Sequence, residues 1–246
     1  KIWNGSLGEK EIISAYGIKI IKSKYWEKNN VNKSSTIAAS YGDYNSSDRI
    51  DSLKMISRER LNIFFDRTHS YPIWKPQKNI FIDKGYRYSP IEIPSGLNIN
   101  AQAKIDLYRY SDYNYQDLFT FRVGPELTLG NFKNSFLDYT KISVYPKITL
   151  AEGKSPFGFD QATDNTSIEF NLKQQLIGPI TLDYKTEYNL DLDSPNYKNF
   201  FNTKFDLTWN RRAYSIGLFY KNESKTGGIN FKIHSFNFDG YGDFSN

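Results

Sequence analysis

From Leu97 to Leu107 apolar and polar side chains alternate without a break. Leu97, Ile99, Ala101, Ala103, Ile105 and Leu107 are separated by Asn98, Asn100, Gln102, Lys104 and Asp106. Successive side chains of a β-strand point to opposite sides, so this segment predicts a strand with one apolar and one wet face. The pattern recurs: Phe119, Phe121, Val123, Leu127 and Leu129 alternate with Thr120, Arg122, Gly124, Glu126 and Thr128. Ile142, Val144, Ile148 and Leu150 alternate with Lys141, Ser143, Lys147 and Thr149. From Ile180 to Leu192 one face is Ile180, Leu182, Tyr184, Thr186, Tyr188, Leu190 and Leu192, opposed by Thr181, Asp183, Lys185, Glu187, Asn189 and Asp191. Phe201, Thr203, Phe205, Leu207 and Trp209 then oppose Asn202, Lys204, Asp206 and Thr208, and Tyr214, Ile216, Leu218 and Tyr220 oppose Ser215, Gly217 and Lys221. No helical period competes with this signal.

Several of these segments exceed the roughly 5–6 residues of a mean globular strand and match the roughly 9–11 of a tilted membrane strand. Their connections are short and turn-like: Gly130-Asn131, Gly178-Pro179, Ser194-Pro195-Asn196, Asn210-Arg211-Arg212 and Gly227-Gly228. Long strands joined by tight turns are antiparallel hairpins. In the less regular first half, Ile12–Trp26, Asn32–Tyr44 and Leu53–Phe65 read as strands. Tyr71–Gly96 carries Pro72, Pro76, Pro90 and Pro94 and reads as loop, edge or bent strand, because proline donates nothing to a ladder. Ala151–Asn165 reads as an exposed loop. The expected fold is all-β: one antiparallel transmembrane β-barrel domain over residues 1–246, with about 12 strands, forming the C-terminal portion of a longer protein and either a barrel by itself or part of a larger one. The competing architecture is a soluble β-sandwich or lipocalin-like barrel.

Composition bears on that choice. The chain is polar on average, with a mean hydropathy of −0.62, yet 17% of its residues are aromatic. So many Tyr and Phe need either a soluble core or a lipid-facing wall, and argue against disorder. No apolar run approaches the roughly 20 residues of a transmembrane helix. Absence of Cys removes disulfides, thiolate metal sites and Cys nucleophiles. The net charge of +5 is scattered rather than clustered, which speaks against nucleic acid and suits contact with anionic lipid or simple solubility. The chain opens on Lys1 without a signal-peptide pattern, as a mature or trimmed protein would. Trp209 and Tyr214 flank one turn, as an interfacial aromatic belt requires, whereas Tyr184 and Tyr188 sit in mid-strand.

A further signal lies in the order of several strings. Gly124-Pro125-Glu126-Leu127-Thr128-Leu129-Gly130 precedes Phe136-Leu137-Asp138-Tyr139-Thr140, Ser155-Pro156-Phe157-Gly158-Phe159-Asp160 and Gln174-Gln175-Leu176-Ile177-Gly178-Pro179. Trp209-Asn210-Arg211-Arg212-Ala213-Tyr214, Gly227-Gly228 and Phe236-Asn237-Phe238-Asp239-Gly240 follow. In this order they resemble a cyanobacterial outer-membrane family of unknown function that is itself similar to LptD (OstA/Imp), with the resemblance clearest from Gly85 to Gly240. LptD-like proteins insert lipopolysaccharide into the outer leaflet through a lateral gate between the first and last strands. The resemblance therefore implies outer-membrane localisation, lipopolysaccharide or outer-membrane lipid as cargo, periplasmic Lpt-type bridge proteins and a plug protein as partners, and barrel-assembly machinery as the insertion route. No jellyroll domain is evident, and the small size and missing Cys depart from the LptD pattern.

The terminal strand is the gate candidate that this resemblance implies. Ile229, Phe231 and Ile233 alternate with Asn230, Lys232 and His234, after which the aromatics shift to Phe236 and Phe238. A bulge near Ser235 would produce that change of phase. Arg211 and Arg212 form a cation pair at a turn, suited either to lipid phosphate or to plain solvation. Asp66, His69 and Ser70 are triad residue types, but strand neighbours point to alternating faces, and no His or Cys accompanies His234. No enzyme, cofactor or metal is expected. A passive porin with a polar lumen is the alternative function.

Overall fold

A computed structural model describes residues 12–49, 54–75, 95–130, 134–194, 196–211 and 214–233. They form one sheet of eleven strands in sequence order, each antiparallel to the next. The strands are β1 (Ile12–Lys28), β2 (Val31–Ser47), β3 (Met55–Trp74), β4 (Gly96–Tyr110), β5 (Tyr115–Gly130) and β6 (Tyr139–Gly153). They continue with β7 (Thr166–Ile177), β8 (Ile180–Asn189), β9 (Phe200–Asn210), β10 (Tyr214–Lys221) and β11 (Thr226–Ile233). The only helical element among the described residues is a 3-10 turn at Gly158–Asp160, and no helix there is long and apolar enough to cross a membrane.

The register carries the alternation across the sheet. Ile63, Leu107 and Ala39 share a row, as do Ile105, Phe119 and Leu150, and Leu182, Leu207 and Leu218. All lie on one apolar face. The opposite face carries Gln102 beside Arg122 and Lys147, and Glu126 beside Ser143 and Asn171. Burial runs against the usual rule. Ser167, Gln175, Thr181, Glu169 and Glu187 are buried, while Ile20, Ile63, Leu150, Leu218 and Phe231 are exposed. A flat single sheet would expose both faces alike. This sheet therefore curls with its polar side concave, and its apolar side is the convex wall.

Local chemistry explains the turns. Asn29 and Asn30 take φ of 55° and 58°, the left-handed pair that a two-residue hairpin requires and that Asn tolerates. On the concave side, a Cβ at Gly228 would lie 2.8 Å from the Phe219 ring. Only glycine there lets Phe219, its cross-strand partner, lie flat on the strand.

The structure differs from the sequence-based expectations at five places. First, the all-β antiparallel sheet is as expected but has eleven strands rather than about twelve, and β1 and β11 pair only with β2 and β10, so of the two forms left open, a closed barrel or part of a larger one, the described residues form a curled sheet that does not close on itself. Second, β3 continues through Pro72 to Trp74, with a register break between those residues, which selects the bent strand for Tyr71–Trp74; Pro76, Pro90 and Pro94 lie outside the described residues. Third, β8 stops at Asn189 rather than Leu192. The Asn189 side chain accepts the Asp191 amide at 2.7 Å, and the Asp191 carboxylate accepts the Asn165 amide at 2.8 Å, which turns the chain out of the ladder. Fourth, a bulge at Asn202, with φ of 52°, shifts the phase of β9. Phe200 takes the apolar position beside Tyr188, and Phe201 falls opposite Glu187 instead of joining Phe205 and Leu207. Fifth, Ala151–Asn165 is not an exposed loop. β6 runs on to Gly153, and Ser155 and Phe157 beyond it are fully buried.

Candidate functional site

The concave face is a ladder of charge pairs, two of which, Arg122–Glu169 and Lys147–Glu187, reach across an intervening strand. The Arg122 guanidinium of β5 donates to both carboxylate oxygens of Glu169 on β7, at 2.9 Å each. Asn171 donates to the same carboxylate at 2.8 Å, and Lys185 of β8 stands 3.5 Å away. Glu126 is held by Lys141 at 3.0 Å and by the Tyr145 hydroxyl at 3.1 Å, and Asn100 donates to that hydroxyl at 2.8 Å. Glu187 pairs with Lys147 and accepts from Ser167 and Asn202, both at 3.2 Å. Lys173–Asp183 at 3.1 Å and Lys204–Asp206 at 2.6 Å complete the wall. All of these groups except Asn100 and the Glu187 cluster with Lys147, Ser167 and Asn202 line a cleft of about 350 Å³. Cations and carboxylates nearly balance in its lining, so it offers a wet, cross-linked surface rather than a field of one sign. No group of His, Asp and Glu among the described residues could hold a metal.

The β6–β7 connection crosses this concavity and docks on the polar faces of β2 to β5. Phe157 has no exposed surface. Its ring packs against Tyr110, Tyr44 and Phe159, with centroids 5.8, 6.3 and 5.2 Å away. Arg60 of β3 stacks its guanidinium on Tyr108 at 4.7 Å and Tyr44 at 4.9 Å, and pairs with Asp160 at 2.8 Å. The Tyr110 hydroxyl donates to Asp160 at 3.0 Å, and the Gln116 amide donates to the Asp160 carbonyl at 2.6 Å. Backbone bonds add to this: Phe157 bridges Asp48, and Arg49 donates to the Pro156 carbonyl at 2.8 Å. Burial pushes the Asp160 carboxyl up to about 6, with Arg60 pulling the other way. Alternation alone missed this inward loop. Its signal was present in phase: Tyr44, Tyr108 and Tyr110 are aromatics at wet-face positions, and Phe157 and Phe159 are their counterparts in the loop.

The residues singled out from sequence fall elsewhere. Ile229, Phe231 and Ile233 lie on the convex face of β11, opposite Leu218, Ile216 and Tyr214, on a strand whose other edge has no partner among the described residues. Phe236 and Phe238, with the bulge expected near Ser235 and with His234, lie outside the described residues. Arg211 stacks on Trp209 at 4.7 Å, and Trp209 meets Tyr214 edge-on at 6.1 Å, so this cation sits in an aromatic cluster at the turn. Arg212 lies outside the described residues. His69 is no triad member. It receives a bond from Arg67 at 3.0 Å and lies 3.1 Å from the Tyr71 hydroxyl, both on its own convex face. Asp66 points to the concave side, where it accepts from Gln102 and, at 3.3 Å, from Thr68.

No curated protein and no solved structure matches the chain. Over residues 1–237 the sequence matches a family described as "Protein of unknown function (DUF3769)". The match spans both the charged concavity and the inward loop, and the chain therefore belongs to the DUF3769 family.

Proposed function

We propose that this protein is an outer-membrane β-barrel of LptD-like type, which carries lipopolysaccharide to the outer leaflet through a seam at the edges of its sheet. The observation that carries this reading is the inverted distribution of side chains: a buried, hydrogen-bonded polar concavity inside an exposed apolar wall. The extent of that apolar wall supports a lipid surrounding, because exposed apolar patches of such size mark a lipid or protein environment. The two edges that have no partner among the described residues, β1 and β11, support a lateral opening. An amphiphile could pass there with its sugars in the wet concavity and its acyl chains outside. The chain's ordered strings resemble a family that is itself similar to LptD, and this supports lipopolysaccharide as the cargo. Depletion of the protein tests this directly: surface lipopolysaccharide falls if the reading is right, and full depletion with unchanged surface lipopolysaccharide sinks it.

The inward loop favours a second reading, a passive pore. A segment folded across a charged lumen narrows it as a constriction would, and the balanced lining suits small polar solutes. Planar-bilayer recording of a stable, ion-selective open channel would favour the pore. Electrical silence together with lipopolysaccharide loss on depletion would favour the transporter.

A further inference from the structure

On the convex wall the apolar belt ends abruptly across β1 to β3. Ile20, Ala39 and Ile63 share one row, and Ile37 and Phe65 another. Beyond Phe65, toward the β1–β2 hairpin, the convex positions become Arg67 and His69 on β3, Ser35 and Lys33 on β2, and Lys22, Lys24 and Trp26 on β1. Register places Lys33 between Trp26 and His69, and Ser35 between Lys24 and Arg67. Trp26 is flanked by two cations, with the Lys24 ammonium and the Arg67 guanidinium each 5.7 Å from its ring. Arg67 is oriented by His69, which Tyr71 holds in turn. Between the row of Lys22, Ile37 and Phe65 and the β1–β2 hairpin no carboxylate occupies a convex position on these three strands among the described residues; the convex acids Asp43 and Glu59 pair with each other in register on the far side of the apolar belt. On the concave face the lysines all but match their acids; here Lys22, Lys24, Lys28, Lys33 and Arg67 stand without one.

We infer that this patch binds the phosphate headgroup of an anionic glycerophospholipid in the leaflet beside the β1–β2 hairpin. The inference rests on the reading of the convex wall as lipid-facing. Each part of such a lipid has a counterpart. The acyl chains lie along Ile20, Ile37 and Phe65, the ring of Trp26 sits at the glycerol level, and the Arg67 fork with Lys24 and Lys33 meets the phosphate. A tryptophan pinned between cations is suited to the membrane–water boundary, where its ring is half apolar and half wet. Of the five connections at this end, three are two or three residues long (β1–β2, β7–β8 and β9–β10) and stand beside an eight-residue β5–β6 and a 21-residue β3–β4 connection, whereas none at the other end is shorter than four. Short turns are the periplasmic side of outer-membrane barrels. That places the patch at the inner leaflet and makes a phospholipid, not lipopolysaccharide, its occupant.

The test uses the full chain folded in detergent micelles with equal phosphatidylglycerol and phosphatidylcholine, followed by native mass spectrometry of retained lipid. The wild-type protein retains phosphatidylglycerol over phosphatidylcholine by about tenfold or more, since each cation near an anionic surface contributes roughly a factor of five. K24Q/K33Q/R67Q loses that preference. K173Q/K204Q, which also removes positive charge but from the concave face, keeps it. An unchanged preference in the triple variant overturns the assignment. Displacement of the retained lipid by millimolar inorganic phosphate would also overturn it, by marking a free-anion site instead. Folding in phosphatidylcholine alone, followed by β-sheet circular dichroism, reports separately on the lipid-facing wall. A protein that folds there but shows no headgroup preference refutes the patch and leaves the barrel standing.

Discussion

Replacing Phe157 with alanine should release the β6–β7 loop from the concavity while leaving the sheet intact. The ring is fully buried among Tyr44, Tyr110, Ile56 and Phe159. A phenylalanine buries about 150–250 Å², which at about 25 cal/mol/Å² amounts to roughly 4–6 kcal/mol as an upper bound. Measured Phe→Ala losses of about 3–5 kcal/mol agree. This energy holds a loop rather than the ladder, because none of the strand pairings passes through Phe157 except its isolated bridge to Asp48. A loss of about 3 kcal/mol lowers the docked-to-undocked ratio by a factor of about a hundred. Limited trypsinolysis reads that ratio at Lys154, which precedes the buried Ser155 and Phe157. Cleavage there should accelerate by one to two orders of magnitude in F157A, with unchanged circular dichroism. L192A, at an exposed position of the β8–β9 connection, is the control. A cleavage rate within twofold of wild type would show that the loop is not held by its aromatic anchor.

Leu207→Arg on the convex face should cost about 2–4 kcal/mol if the residue lies near the bilayer midplane, whereas Thr208→Arg, on the concave side beside Gly217, should cost far less; equal losses in denaturant titrations from lipid vesicles would reject the two-faced wall. Loop docking should tighten on acidification. The Asp160 carboxyl is raised to about 6 in the folded chain, so its protonation contributes stability that is complete below about pH 4 and is lost as pH rises through about 6, at most about 3 kcal/mol. Amide exchange at Ser155 and Phe157, corrected for intrinsic rates, should slow between pH 7 and 5, and Asp160→Asn should abolish the dependence.

What was legible in the sequence was everything carried by period two. Leu97–Leu107 and Phe119–Leu129 lie within β4 and β5 with the expected faces, because an unbroken alternation leaves a strand only one way to present its apolar side. The pattern failed where one residue is added to a strand. At Asn202 the bulge moves Phe201 off the apolar face, and no composition signal marks a non-glycine residue that takes a positive φ. It failed again at Ser155–Asp160, because a loop's destination is set by its partners. Arg60, Tyr44 and Tyr110 are distant in sequence and come together only when β2, β3 and β4 are laid side by side. Pro72 was ambiguous for a related reason: a proline in a strand is tolerated beside a register break, and the break is visible only against β4. The charge ladder was half legible. Lys185, Glu187 and Asp206 were readable as wet-face residues, but the pairing of Lys185 and Glu187 across strands follows from the curl.

The claim on which the rest depends is that the convex wall faces lipid and the concavity faces water. The chain has no cysteine, so single cysteines can be placed along β5 without background. Labelled with an environment-sensitive fluorophore in vesicles carrying brominated acyl chains, positions 119, 121, 123, 127 and 129 should be quenched. Positions 120, 122, 126 and 128 should instead react readily with an aqueous maleimide and resist quenching. Quenching that ignores this alternation, or that follows the opposite phase, would contradict the membrane reading of the fold.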